Sequence, residues 1–264
     1  MDPALNLVGL GLRLGHMTRE VEAVLDGCRH VYYLHDEPET VRFLAYHGAP
    51  LTSLSSFYAT GTSRLETYYR MAARVVSHAA QDPPVVVALY GHPTIFSTLT
   101  SMLLAGARQF AVTTAVYPGI SSIDAIIAEL GLDPGPVALQ VHEATELLVY
   151  DRALDPSAAL LIFQASQLET RLHSTRPSSP RRLEQLVNRL AATHGLSHVV
   201  TVLEVQGNRT SQHWTGPLNE LAAAAPTFGA MVTLYVPPRT QPLVRDAAIL
   251  EQLDDPTKLS DLVQ

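Results

Sequence analysis

Residues Pro84-Val-Val-Val-Ala-Leu89 form an apolar run that breaks at once into Tyr90-Gly91-His92-Pro93. A β-branched run with no polar alternation suits a strand buried on both faces, as in a parallel sheet. The aromatic, Gly and Pro that follow mark its carboxyl end, and open α/β sheets bind ligands outside such ends. Thr94-Ile95-Phe96-Ser97 then reads as the opening of a helix. A second strand end, Tyr117-Pro118-Gly119-Ile120-Ser121, repeats the design one βαβ unit further on. Two such ends side by side make the edge of a pocket.

The rest of the chain extends the alternation. Leu5 to Gly11 reads as a first strand ending in a glycine turn, and Thr18 caps an amphipathic helix carrying Val21, Val24 and Leu25. His30 to Leu34 is a second strand, Glu39 to Tyr46 a short helix and Arg64 to Ala80 a long one. Ser121 to Leu130 and Arg182 to His194 are later helices, with strands at 159–163, 199–205 and 231–236. The expected class is α/β in two lobes, residues 1–115 and 116–238, with a helical tail at 239–264. In that tail Leu243, Val244, Ala247, Leu250 and Leu253 fall near helical spacing. Asp255-Pro256 then starts a short second helix burying Leu259, Leu262 and Val263. An apolar tail face needs cover, from its own lobe or from a second subunit.

At 264 residues, 47% hydrophobic and 16% charged, the chain is globular in composition. A net charge of −7 with no offsetting basic face argues against nucleic acid as partner, and Arg176 to Arg182 reads as a solvated Pro/Ser loop. One cysteine, Cys28, excludes an internal disulfide framework and suits a reducing cytoplasm. No apolar stretch reaches about 18 residues and no signal pattern opens the chain, so a cytoplasmic protein without a membrane partner is expected.

Several motifs could carry chemistry. Gly9-x-Gly11-x-x-x-Gly15, with Asp36 as a ribose-binding acid, resembles a dinucleotide fingerprint but misplaces its third glycine. The scattered histidines and single cysteine offer no metal site, and no nucleophile elbow or phosphate loop occurs. Arg64 and Tyr68, four apart, share a helix face. A guanidinium beside a phenol favours the phenolate, so such a pair could take or hold a proton; equally, Tyr68 could pack while Arg64 makes a surface hydrogen bond. Glu143 and Glu146 could form an acid/base pair, but fit better as the start of a helix.

Taken together, these segments resemble the tetrapyrrole methylases, two-lobed enzymes that bind S-adenosylmethionine in the cleft between α/β lobes. More narrowly, the chain resembles the borosin peptide-backbone α-N-methyltransferases over about residues 5–238. The resemblance is carried by Tyr58…Arg64…Tyr68, Tyr90-Gly-His-Pro93, Pro118-Gly-Ile-Ser121, Glu143-Ala-Thr-Glu-Leu-Leu148, Asp155-Pro156 and Tyr235-Val-Pro-Pro238. It implies that Tyr68, assisted by Arg64, deprotonates or polarises a peptide amide. Tyr58 would bond the substrate carbonyl and Tyr90 would line the transfer site. His92, Ile95, Phe96, Ser121, Gln164 and Thr233, with Tyr90, would contact the cofactor.

Two departures stand out. Ser55 occupies a position where the group often has a further Tyr, and fused members carry a long extension ending in their own core peptide, whereas this chain stops at Gln264. The expectation is therefore a split enzyme, a homodimer acting on a separate precursor peptide. The alternatives are a tetrapyrrole C- or diphthine-type methyltransferase of the same fold, and a non-catalytic docking protein.

Overall fold

The computed structural model describes residues 3–253 apart from 36, 169–171, 174–178, 207–208 and 230–231. Asp36, Arg176 and the expected tail helix at Asp255 to Val263 lie outside the described residues.

The first half is β1 (Leu5–Gly9), α1 (Arg19–Asp26), β2 (His30–Leu34), α2 (Pro38–Tyr46), β3 (Leu51–Ser53), α3 (Arg64–Gln81), β4 (Val85–Leu89), α4 (Thr98–Gln109) and β5 (Thr114–Tyr117). Its strands form one parallel sheet in the order β3-β2-β4-β1-β5. The apolar run of β4 is buried throughout because both faces are covered. Val86 and Ala88 pack with Val21 and Leu25 of α1 and Leu44 of α2. Val85, Val87 and Leu89 pack with Met71 and Val75 of α3 and Leu99 and Leu103 of α4. Neighbouring β1 and β4 thus send their chains to opposite faces, which opens a crevice between their carboxyl ends.

The second half is α5 (Ser122–Leu130), β6 (Leu139–Glu143), α6 (Ala144–Val149), β7 (Ala159–Phe163), α7 (Pro180–His194), β8 (Val199–Gln206), β9 (Arg209–Pro217), α8 (Leu221–Ala224), β10 (Val232–Val236) and α9 (Ala247–Leu253). Its sheet runs β6-β7-β10-β8-β9, with β6 and β7 parallel and every other pairing antiparallel. Helices α6 to α8 cover one face through Leu147, Leu186, Leu190 and Leu221, and Ile126 of α5 meets Leu161, Phe163 and Leu203 on the other.

Three strands escape the sequence pattern, β3, β6 and β9, and all three are sheet edges. An edge strand needs no continuous apolar run, and Leu139-Gln-Val-His-Glu143 and Arg209-Thr-Ser-Gln-His213 have none. The tail behaves otherwise than a self-covered element. Helix α9 buries no residue, and Leu243, Val244, Ile249, Leu250 and Leu253 are exposed in the single chain. No described helix is long and apolar enough to cross a membrane.

Candidate functional site

The crevice floor is bare backbone. Leu10 N–H donates to Leu89 C=O at 2.9 Å, and Gly11 and Gly91, both at φ 68°, exchange two main-chain bonds of 3.2 and 2.9 Å. The ends of β1, β4 and β5 are in contact there. A Cβ on Gly9 would lie 2.6 Å from Gly119 N and 2.7 Å from Gly91 O; one on Gly119 would lie 2.6 Å from Gly9 O. Gly15 behaves differently. It sits in a 3₁₀ turn at Leu14–His16 with open space where a Cβ would go, and α1 begins only at Arg19 under a Thr18 cap. The glycines therefore serve strand-end packing, and the dinucleotide fingerprint is not built.

The expected helix opening at Thr94–Ser97 is a turn. Ser97 caps α4 by accepting the Thr100 N–H at 3.3 Å, so the helix starts at Thr98. Before it, His92 Nδ1 accepts the Thr94 N–H at 3.2 Å, which leaves the proton of the neutral ring on Nε2. Ile95 N–H bonds back to the His92 carbonyl at 3.4 Å. Phe96 closes the turn at φ 49°, and its half-exposed ring meets Phe163, the last residue of β7, at 5.0 Å between centroids. Gln164 follows Phe163 at φ 57°. Two non-glycine residues in left-handed backbone thus flank one contact between the halves, and such strain gathers at ligand sites. Thr233 is buried in β10, one residue before the Leu234–Ile162 pair, so its register sets it opposite Phe163.

Ser121 offers less than its position suggests. It is buried, its N–H and hydroxyl both donate to the Asp124 carboxylate at 2.6 Å, and its Oγ accepts the Asp124 N–H. Its polar groups complete a capping box, so it gives a ligand shape rather than a bond.

Arg64 and Tyr68 stand in the first two turns of α3, which Ser63 caps through the Glu66 N–H. Because α3 follows β3, that end lies at the carboxyl edge of the parallel sheet, the edge at which β4 runs into Tyr90 and Gly91. Tyr58 ends the 3₁₀ turn Leu54–Phe57, which Ser55 shares, and its ring meets Tyr68 edge-on at 6.2 Å and 82°. On another side it stacks on His173 at 4.5 Å and 20°. Tyr90 is partly exposed and rests on buried His35, 5.2 Å between centroids. His35 Nδ1 accepts the Glu37 N–H at 3.1 Å, fixing the ring. In the second half, Tyr235 of β10 packs against the cluster of Ile126, Leu161, Phe163 and Leu203, and burial pushes its phenol up from its ordinary pKa.

The structure thus joins Tyr58 with Tyr68, and Phe96 with the neighbour of Gln164. Sequence reading missed His35, Phe163 and His173. The first two are legible in hindsight as residues at strand ends, whereas His173 lies in a Pro/Ser-rich stretch without pattern. Glu143 accepts the Glu146 N–H at 2.8 Å as the cap of α6, the structural of its two roles.

Comparison with known proteins adds three observations. The model of the family described as Tetrapyrrole (Corrin/Porphyrin) Methylases matches residues 4–250. The chain is 26% identical over 244 residues to the methyltransferase/ribosomally synthesized cyclic peptide omphalotin A precursor of Omphalotus olearius, covering 90% of this chain and 58% of that protein. It is 28% identical over 254 residues to a methyltransferase/type I borosin cyclic peptide precursor of Mycena rosella, with 90% and 60% covered. It therefore spans about three fifths of these relatives. The fold matches the methyltransferase CobJ (TM-score 0.62, 15% identity, 92% of this chain and 97% of that one). It also matches a uroporphyrin-III-C-methyltransferase from Thermus thermophilus (TM-score 0.64, 18% identity, 90% and 93%).

Proposed function

The chain belongs to the tetrapyrrole (corrin/porphyrin) methylase family, and from that membership we propose that it uses S-adenosylmethionine to N-methylate backbone amides of a separate ribosomal precursor peptide. The observation that carries the reading is the contact of Phe96, in the turn that follows the glycine floor at Gly91, with Phe163 of β7. A flat, partly apolar and cationic nucleoside ligand fits a cradle of backbone groups walled by aromatic rings. Tyr90, His92, Ile95, Phe96, Gln164 and Thr233 would hold it, with Ser121 shaping the loop behind. The names of the relatives favour a peptide. So does charge: 58–69, 90–97 and 118–121 contain one cationic side chain, Arg64, whereas an anionic porphyrinogen would call for several.

An amide nitrogen is a poor nucleophile because its lone pair is delocalised into the carbonyl. The bound cofactor supplies an electrophilic methyl group. Tyr68, with Arg64 one turn away on α3, accepts or polarises the amide proton. Tyr58 donates its hydroxyl to the substrate carbonyl as that oxygen gains charge. Tyr90 lines the path and, braced by His35, keeps the nitrogen in line. Tyr68, as the phenolate, would take up the proton that the amide nitrogen loses as it gains the methyl group. The exposed apolar tail supports a homodimer in which the tail helps to build the precursor-binding surface.

Calorimetric titration with S-adenosylmethionine or its demethylated product tests the cofactor assignment. Roughly micromolar affinity, about −8 kcal/mol, is expected, weakened in Phe96→Ala. No binding at millimolar ligand, or full affinity in Phe96→Ala, contradicts it.

A further inference from the structure

We propose that His173, reaching across from the second half of the chain, is a positioning residue for Tyr58. The proposal rests on the methyltransferase reading only for its effect on turnover.

Four observations carry it. Leu172 forms an antiparallel bridge with Ser63, the cap of α3. Both main-chain groups of His173 are then used: its N–H donates to Thr62 C=O at 2.8 Å, and its C=O accepts the Gly61 N–H at 3.1 Å. The receiving turn is itself closed, since Thr62 bonds back to the Ala59 carbonyl through its N–H at 3.1 Å and its hydroxyl at 2.6 Å. The imidazole is thereby delivered from fixed backbone onto the Tyr58 ring, 4.5 Å away and 20° from parallel.

Tyr58 is consequently held on two sides, stacked on His173 and edge-on to Tyr68. A phenol joined to the chain through two torsions turns freely unless its ring is packed. A hydroxyl that must meet a developing oxyanion has to be held within about 0.5 Å and 10–20°. The first sheet supplies one brace through α3, and the chain leaving β7 supplies the other. The tyrosine pair is therefore complete only when the two halves are joined.

The test uses the full-length protein with S-adenosylmethionine and ring-labelled ¹³C-tyrosine, the Tyr58 resonance being assigned by its loss in Tyr58→Phe. His173→Ala should move that resonance, and His173→Phe, which keeps a flat ring on the same anchors, should restore it. With a peptide substrate, kcat should fall about tenfold in His173→Ala, equivalent to about 1.4 kcal/mol, and recover in His173→Phe. KM and cofactor affinity should stay level. If the alanine variant does not fold, His173→Gln gives the same contrast. An unmoved Tyr58 resonance overturns the proposal, as does a moved resonance with unchanged kcat. If the wild-type protein methylates no peptide, it is the function that fails, and the resonance still decides whether His173 holds Tyr58.

Discussion

The ring of Tyr58 meets that of Tyr68 edge-on, with centroids 6.2 Å apart and planes at 82°. That contact brings together at the start of α3 the two phenols proposed to serve the substrate carbonyl and the amide proton. Tyr68→Phe removes a single oxygen and keeps the ring contact, so fold and cofactor affinity should persist. Turnover should drop by on the order of 100-fold, the scale of losing a positioned acid/base group. A single-turnover rate equal to wild type would return Tyr68 to a packing role.

Glycine substitutions separate the strand-end floor from the dinucleotide alternative. Gly119→Ala would put a methyl group 2.6 Å from Gly9 O and 2.7 Å from Gly91 O, all backbone with little room to yield. Overpacking of this kind costs about 1–3 kcal/mol, so the melting temperature should fall by several degrees and cofactor binding should weaken. Gly15→Ala meets nothing within 4 Å and should be neutral in both measurements. The reverse pattern would move the ligand to the first glycine turn.

Buried histidines should make stability depend on pH. His194, almost wholly buried at the end of α7, makes no hydrogen bond of normal geometry through either ring nitrogen. Burial first, then His198 and Arg239, hold its pKa below the ordinary value, against a weaker opposite pull from the Leu190 carbonyl. Burial likewise lowers His30, helped by His78 and Arg74, and His142, helped by Arg152 and Arg189. The unfolded chain takes up these protons near pH 6.5 while the folded chain does not, so stability is present above about pH 6.5 and is lost as pH falls through the folded values. Thermal melts should show a lower transition at about pH 5 than at about pH 7.5, and His194→Leu should flatten the slope. A slope unchanged in that variant would remove His194 from the account.

The exposed Leu243, Val244, Ile249, Leu250 and Leu253 predict an interaction role for the tail. Deleting residues 241–264 should reduce dimerisation, read by light scattering, or raise the KM for a precursor peptide, with cofactor affinity nearly intact. A truncated protein that stays dimeric with an unchanged KM would contradict that role.

Legibility in the sequence followed burial. Strands β1 and β4 announce themselves because central parallel strands are apolar on both faces, and the cap Thr18 because its side chain has a local partner. The edge strands β3, β6 and β9 are paired on one side and leave no such pattern. The Arg64–Tyr68 spacing was readable as a shared helix face. The Tyr58–His173 stack and the Phe96–Phe163 contact were not, because they join distant segments through tertiary packing. The start of α4 was misplaced because Phe96 takes a left-handed turn that local propensity does not favour.

The central claim is methyl transfer to a peptide nitrogen. The most direct measurement is tandem mass spectrometry of peptides encoded beside the gene, after incubation with S-adenosylmethionine carrying a deuterated methyl group. The account predicts labelled single-methyl mass steps that fragmentation assigns to backbone nitrogens, together with formation of the demethylated cofactor and loss of both in Tyr68→Phe. A protein that binds the cofactor but leaves every such peptide unlabelled, or that methylates a porphyrinogen carbon instead, would contradict it.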